Sequence, residues 1–239
     1  MKVRWDLAYD TASFDFYSWL VMAAAKGATE VVFGVDRVRK KAWPEDVIRK
    51  RFASICAPGP ALLGLPCRYG DDGIKPHGPH MRELVEFYQA GNQFPRLRSI
   101  LPPRRDVKYT VTLRNNSHIP ERNSNVAAWR AFAAEIGALV IEDYDDKPIS
   151  IFDRMALYAG ARMNFGVVNG PMHLVVLSDY PMMMFGCAKA AHAFELCGIP
   201  NGASYPWKRA NQMTVWDPDD ISVIRKHFSA WLAGGGSNP

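Results

Sequence analysis

The segment 164–186 reads NFGVVNGPMHLVVLSDYPMMMFG and carries the pattern that decides the fold. Two apolar runs, 162–168 and 181–186, are short enough to be buried strands. Between them, residues 170–178 begin with a glycine and a proline, which favours a short helix. The segment therefore predicts a strand, a tight turn, a helix and a second strand, which is the repeating unit of a parallel sheet.

The same alternation extends over the rest of the chain. In the first part we predict strands 2–9 and 29–35, helices 14–27, 44–55 and 79–91, and a glycine- and proline-rich loop at 57–78. In the second part we predict strands 107–113, 138–143, 162–168, 181–186 and 212–216, and helices 124–137, 150–160, 170–178 and 217–232. Residues 94–106, which contain Pro102 and Pro103, look like a linker between the two series.

This organisation predicts an α/β protein with two parallel-sheet halves that face each other across a cleft. The expected boundaries are 1–103 for the N-terminal half, 104–233 for the C-terminal half and 234–239 for a flexible tail.

Composition is that of a globular protein, with 239 residues of which 48% are hydrophobic and 22% charged. No apolar run reaches the roughly 18–20 residues that span a bilayer, and the first residues lack a secretory signal pattern, so we predict a cytoplasmic location. The cysteines lack CxxC spacing, which favours reduced thiols.

The net charge of +5 arises largely from the tracts 37–41, 49–51 and 96–105. Such tracts favour an anionic partner or form a solvated basic surface.

Two polar turns, each between a predicted strand and a predicted helix, are the candidate ligand contacts. The turn 169–173 combines Asn169, Gly170 and His173 at a helix start, where free N–H groups and the helix dipole attract anions. The loop 112–125 carries Arg114 and Arg122, whose guanidinium groups suit phosphate contacts. A plain tight turn with a core histidine, and an exposed polar loop, are the alternatives. Neither turn has a dinucleotide-binding or P-loop signature.

The segments LYAGARMNFGVV and GVVNGPMHLVVLSDYPMMMFG also resemble the late part of GT-B glycosyltransferases, most closely the heptosyltransferase-like group (family 9-like). The resemblance covers roughly 107–216 and implies a GT-B-like pair of Rossmann-like halves. It implies that the C-terminal half binds a nucleotide-diphosphate sugar without a bound metal. The implied donor-binding residues are Arg114, Arg122, Asn169, Gly170, Pro171, Met172, His173 and Glu195. Asn123, in the same polar loop as Arg122, is a further donor-binding candidate. The chain departs from the pattern at Asn169, where those relatives often have an acid, serine or threonine, and it is short for such an enzyme.

The same resemblance places the general base in the loop after the first strand, where Asp10 and Asp15 are the candidates. A turn residue at Asp10 and a helix N-cap at Asp15 are the structural alternatives. The loop 70–80 carries acids and histidines that suit a metal site, an acceptor contact or helix caps. The acidic run 142–148 suits a ribose or base contact, or an exposed turn.

These observations together predict a metal-independent glycosyltransferase, of hexosyl or heptosyl type, that uses a nucleotide-sugar (Leloir) donor and needs no other cofactor. The expected partners are that donor and a carbohydrate or glycolipid acceptor, as in polysaccharide or lipopolysaccharide biosynthesis. Peripheral contact with the anionic inner face of a membrane is compatible with the basic tracts, and no stable nucleic-acid partner is expected. The alternatives are a sugar-nucleotide epimerase or hydrolase on the same scaffold, and a basic nucleic-acid-binding protein.

Overall fold

The computed structural model describes residues 1–38, 43–74, 80–116, 119–142 and 149–235. The strands are β1 (Lys2–Asp6), β2 (Glu30–Gly34), β3 (Cys67–Tyr69), β4 (Tyr109–Leu113), β5 (Leu139–Glu142), β6 (Met163–Val167), β7 (Met182–Phe185) and β8 (Gln212–Thr214). The α-helices are α1 (Asp15–Ala25), α2 (Glu45–Arg51), α3 (His80–Gln89), α4 (Val126–Ile136), α5 (Ile151–Gly160), α6 (Met172–Val176), α7 (Ala191–Leu196) and α8 (Ile221–Ala233).

The strands form two sheets, and the described pairings in both are parallel. The smaller sheet has the order β1-β2-β3, and the larger sheet has the order β5-β4-β6-β7-β8. This arrangement confirms the prediction of an α/β protein with parallel sheets. No helix in the described part of the chain is long and apolar enough to cross a membrane.

The central strands of the larger sheet are buried on both faces, as their continuous apolar runs indicated. Every residue of β4, β6 and β7 is buried, which is typical of a parallel sheet covered by helices on both sides. Thr110 and Asn164, two of the polar residues in these strands, bond to each other and to the backbone. Thr110 Oγ1 donates to Asn164 Oδ1 at 2.7 Å, and Asn164 Nδ2 donates to the carbonyl of Tyr158 at 3.0 Å. These bonds offset the cost of burying polar atoms in the core.

Helix boundaries follow local capping chemistry. The Ser150 hydroxyl accepts a hydrogen bond from the Asp153 N–H at 3.0 Å, and Asn125 Oδ1 accepts one from the Ala128 N–H at 3.3 Å. The N-cap of α4 is therefore Asn125. Gly137 ends the same helix in the left-handed conformation, with φ at 65°.

The prediction that residues 57–78 form a loop is wrong for part of that range. Residues Cys67–Tyr69 form strand β3, which pairs with β2 so that Arg68 lies opposite Val32. The strand has only three residues, and none of them is fully buried. Backbone pairing along the edge of β2 therefore stabilises it without an apolar pattern that sequence reading can detect.

One cluster of buried side chains joins the two sheets. It contains Phe16 and Leu20 of α1 together with Leu174 and Val175 of α6, and α1 contacts α6 directly. A second cluster fills the outer side of the larger sheet, between the strands and helices α4 and α8. The two series of elements thus share one core, and their division into separate halves at residue 103 remains a prediction.

The linker lies against the C-terminal half instead of spanning free space. The Leu97 N–H donates to the Leu177 carbonyl at 2.9 Å, and the Arg104 N–H donates to the Ala156 carbonyl at 2.9 Å. At the end of α5, a Cβ on Gly160 would lie 2.2 Å from the Arg104 carbonyl oxygen. Only glycine therefore allows the linker backbone to reach this helix.

We expect Gly160→Ala to lower the free energy of unfolding by about 3 kcal/mol, because its methyl group would collide with main-chain atoms that cannot rotate away. Urea unfolding measures the loss. Gly234→Ala is the matched control, because its Cβ would lie 3.4 Å from its nearest neighbour, an ordinary contact. Equal stability of the two variants would show that the linker moves aside without cost.

Candidate functional site

The order of strands in the larger sheet reverses between β4 and β6. The chain leaves β4 toward β5 on one side and reaches β6 on the other side. Loops after these two neighbouring strands therefore diverge, and ligands of open parallel sheets bind in the crevice that this reversal creates. Arg114 directly follows β4, and Asn169 is the second residue after β6. The two polar turns identified from the sequence thus border the same crevice.

The loop after β4 is built around Arg114. Its backbone N–H donates to the Ser124 hydroxyl at 2.9 Å, and its guanidinium Nη1 donates to Asn123 Oδ1 at 3.0 Å. The Asn123 amide also donates to the Asn116 carbonyl at 2.9 Å. Asn123, predicted from the sequence to bind the donor, therefore uses its amide to hold this loop. Burial lowers the pKa of Arg114, and the nearby positive charge of Arg122 lowers it further.

Arg122 reaches from this loop to the turn after β6. Its Nη2 donates to the Val168 carbonyl at 3.4 Å, while its Nε is buried without a hydrogen-bond partner in the described structure. A buried N–H without an acceptor is costly. Arg122 is thus a cation beside the crevice with a donor that a ligand would satisfy.

The turn after β6 is closed by Asn169, whose Oδ1 accepts from the Met172 N–H at 2.9 Å. The N–H groups of His173 and Leu174 donate to the carbonyls of Gly170 and Pro171. These bonds occupy the backbone N–H groups that the sequence suggested for anion binding. Helix α6 also has only five residues, which are too few for a strong helix dipole. The turn therefore offers side-chain donors, above all Asn169 Nδ2, which is buried and has no described partner.

Position 170 requires glycine because the Phe14 side chain lies against it. A Cβ at this position would lie 2.6 Å from Cδ2 of Phe14, a residue of the loop that precedes α1. The close approach predicted for a ligand is thus made by Phe14 in this structure. Met172 is also fully buried and packs beneath Gly166, so it supports the sheet from inside.

His173 stands between the two sides of the crevice. Burial lowers its pKa, the Asp15 carboxylate opposes this effect, and Arg122 adds to it. The imidazole is therefore neutral at pH 7. Its Nδ1 is buried and has no hydrogen-bond partner among the described residues. His173, Asn169 and Arg122 consequently present three unsatisfied polar atoms in one place.

Asp10 and Asp15 differ in their surroundings. Asp10 Oδ2 accepts a hydrogen bond from the Asp6 N–H at 2.9 Å, which folds the loop after β1. Asp15 is exposed, and its carboxylate accepts from the Ser13 hydroxyl at 3.0 Å. Its charge raises the pKa values of His173 and Cys197, both from the other half, although burial is the larger influence on each. Asp15 is therefore the acid that lies close to the C-terminal half.

Glu195 makes no described contact with this cluster. It is exposed on α7, and its carboxylate accepts from Asn201 Nδ2 at 2.8 Å. His77 of the loop 70–80 and residues 143–148 of the acidic run lie outside the described residues. Glu142, the first residue of that run, forms an ion pair with Arg130 at 2.6 Å. In the described part of the chain, no group of three or more His, Cys, Asp or Glu side chains is placed to hold a metal ion.

Sequence reading missed Lys189 and Asp219, which support the Arg114 loop. Lys189 Nζ donates to Asp219 Oδ1 at 2.7 Å and to the Asn123 carbonyl at 3.4 Å. The other oxygen of Asp219 accepts from the Asn125 N–H at 2.6 Å and from Trp129 Nε1 at 3.0 Å. The available signal for Lys189 was a lysine three residues after Gly186, which follows β7. The distant Asp219 gave no signal.

Sequence reading also missed Arg154, an almost fully buried residue of α5. Its Nη1 donates to the Tyr158 hydroxyl at 3.1 Å, and that hydroxyl is 2.8 Å from Thr112 Oγ1 on β4. An arginine on the otherwise apolar face of a helix was the sequence signal. Arg154 places a further positive charge beneath the sheet that carries the site.

Comparison with protein-family models, with curated proteins and with solved structures yields no match. The resemblance to heptosyltransferase-like enzymes therefore remains a prediction, and functional inference depends on the geometry described above.

We expect Asp219→Asn to lower the free energy of unfolding at pH 7 by about 2 kcal/mol, because it removes a buried carboxylate that three donors stabilise. Burial favours the neutral acid, but hydrogen bonds from Lys189, Asn125 and Trp129 outweigh it and leave the pKa of Asp219 below its ordinary value. The stabilisation is therefore present above the unfolded-state pKa and is lost as the pH falls through the lower folded-state pKa.

Urea unfolding at pH 7 and at pH 2.5 checks both parts of this prediction. Asp220→Asn is the matched control, because this exposed neighbour only accepts from Asn125 Nδ2, at 3.3 Å. A difference between wild type and Asp219→Asn that is as large at pH 2.5 as at pH 7 would contradict a role for the charge.

Proposed function

We propose that the protein is a metal-independent glycosyltransferase that moves a sugar from a nucleotide-diphosphate donor to an acceptor hydroxyl. The observation that carries the proposal is the group of unsatisfied buried polar atoms on Arg122, Asn169 and His173. They lie where β4 and β6 diverge, which is the usual ligand position in such a sheet. A diphosphate would supply acceptors to the N–H groups of Arg122 and Asn169 and balance the guanidinium charges.

The donor side would consist of the crevice in the larger sheet. Arg122 and Arg114 lie close enough for the charge of one to affect the pKa of the other. During transfer, the leaving diphosphate gains negative charge, and fixed cations in a partly buried site stabilise that charge more effectively than water does. This role is the one that a bound metal fulfils in other enzymes, which is why we propose that no metal is needed.

The base would be Asp15, because its carboxylate is exposed on the smaller sheet's side and lies near His173. A carboxylate in that position would take the proton of the acceptor hydroxyl as the hydroxyl attacks the sugar. Asp10 is less suited, since one of its oxygens already accepts from the backbone.

The acceptor side would include exposed aromatic side chains beside the smaller sheet. Tyr9 follows β1, Tyr69 ends β3 and Trp43 precedes α2; they are 63%, 64% and 40% exposed. The Arg51 guanidinium lies 4.4 Å from the Trp43 ring centroid and donates to the Ala12 carbonyl at 3.0 Å, which places Trp43 near the Asp15 loop. Flat aromatic faces suit the C–H faces of sugar rings, and nearby carboxylates accept from sugar hydroxyls.

We expect a nucleotide sugar or free nucleoside diphosphate at 100 times its dissociation constant to raise the melting temperature by roughly 5–10 °C. Arg122→Met should weaken this binding about tenfold or more, because it removes charge-assisted hydrogen bonds to the diphosphate. Calorimetric titration against a panel of bases and sugars measures both effects. Arg130→Met is the control, since Arg130 pairs with Glu142 on the surface. If no member of the panel binds, the proposal fails.

We expect Asp15→Asn to reduce kcat by about 10²-fold or more while donor affinity stays unchanged, because a general base acts only in the chemical step. Product analysis with donor and acceptor measures this, and Asp10→Asn is the matched control. Turnover of the donor without any acceptor would instead indicate an epimerase or hydrolase. Full activity of Asp15→Asn would exclude the assigned base.

A further inference from the structure

A second cleft lies near the amino ends of the strands of the larger sheet, opposite the end that carries the candidate site. It has a volume of about 390 Å³ and is bordered by linker residues 96–103, by the end of α5 and by the turn before β7. The candidate site lies beyond the carboxyl ends of the strands, whereas Tyr180 of this cleft lies just before the start of β7 at Met182. We call this second space the linker cleft. Its size is sufficient for a small organic ligand.

Arg96 is the central polar residue of the linker cleft. Its side chain is only 8% exposed, and the Phe94 ring centroid lies 4.5 Å from its guanidinium carbon. Nη2 donates to the Trp207 carbonyl at 2.9 Å, and Nε lies 3.5 Å from Asp179 Oδ1. Nη1 is buried without a hydrogen-bond partner among the described residues. A buried charged donor in this condition indicates that an acceptor is missing.

The charges around the linker cleft favour an anion as that acceptor. Arg96 shares its one carboxylate, Asp179, with Arg209, whose Nε is 2.6 Å from the same oxygen. Arg98 adds an exposed positive charge to the lining. Two guanidinium groups, those of Arg96 and Arg209, therefore share one carboxylate, and Arg98 adds a third positive charge nearby. The Tyr180 hydroxyl, which accepts from the Ser99 N–H at 2.7 Å, adds a donor.

The remaining walls of the linker cleft are apolar. Leu101, Pro103 and Ala159 contribute to them, and Leu101 is 38% exposed at the surface. We propose that the linker cleft binds a phosphate group attached to an apolar body, with Arg96 and Arg98 contacting the phosphate. Such a group occurs in soluble phosphate esters and in lipid headgroups. The proposal is independent of the glycosyltransferase function.

Calorimetric titration with hexyl phosphate, compared with inorganic phosphate and with hexanol, tests the proposal. Hexyl phosphate should bind one-to-one and more tightly than either comparison compound, because it alone offers both the charge and the apolar chain. Arg96→Met keeps the side-chain stem against Phe94 but removes the charge, and it should raise the dissociation constant about tenfold or more. Arg104→Met is the control, since Arg104 pairs with Asp106 outside the cleft.

A second variant keeps the test valid if Arg96→Met does not fold. Ala159→Leu fills the cleft without changing its charge, and it should also weaken binding about tenfold. The proposal is overturned if hexyl phosphate does not bind, or if neither variant weakens binding. It is also overturned if Arg122→Met weakens binding, because the ligand would then occupy the candidate site.

Co-sedimentation with phosphatidylcholine vesicles, with and without phosphatidic acid, distinguishes the two sources of the phosphate. Binding that requires phosphatidic acid and is lost in Arg96→Met indicates a lipid headgroup. Binding of hexyl phosphate without vesicle binding indicates a soluble ester.

Discussion

The position of β4 between β5 and β6 is the constraint on which the rest of the site depends. Parallel strands require crossover connections, and the crossovers on the two sides of β4 run in opposite directions. The loops that follow β4 and β6 therefore cannot close over each other, and a crevice remains at the carboxyl ends of these strands. Both strands are fully buried, so packed sheet forms the floor of this crevice.

The polar residues around the crevice are divided between two sides. The larger sheet supplies cations and donors, with Arg114 held by the Asn123 amide and the neighbouring backbone carbonyl of Ile119. On the other side, Asp15 begins α1, and the preceding residue supplies the Phe14 ring that lies on Gly170. This contact fixes how closely the carboxylate approaches His173. A glycine at 170 thus sets the separation between the acidic and the basic side of the crevice.

The fold class was predictable because its signals are local. The runs that form β4, β6 and β7 are mostly apolar, and the caps at Ser150 and Asn125 are short-range hydrogen bonds. Strand β3 escaped prediction because its stability comes from pairing with β2, which is distant in sequence. The same limit applies to Asp219, whose role depends on Lys189 and Trp129, 30 and 90 residues away. The site was predictable as two polar turns. The requirement for glycine at position 170 was not predictable, because only tertiary packing brings Phe14 against it.

The shared core has a consequence for how this chain can be altered. Helices α1 and α6 bury Phe16 and Leu174 in one cluster, although they lie on opposite sides of the linker. If the polypeptide were cut near Pro103, each fragment would expose an apolar surface that the other normally covers, and each would tend to aggregate. Exchange of the first hundred residues between related sequences would meet the same obstacle. A new N-terminal segment would need an α1 surface that fits the existing α6, so the two helices form the natural unit of exchange.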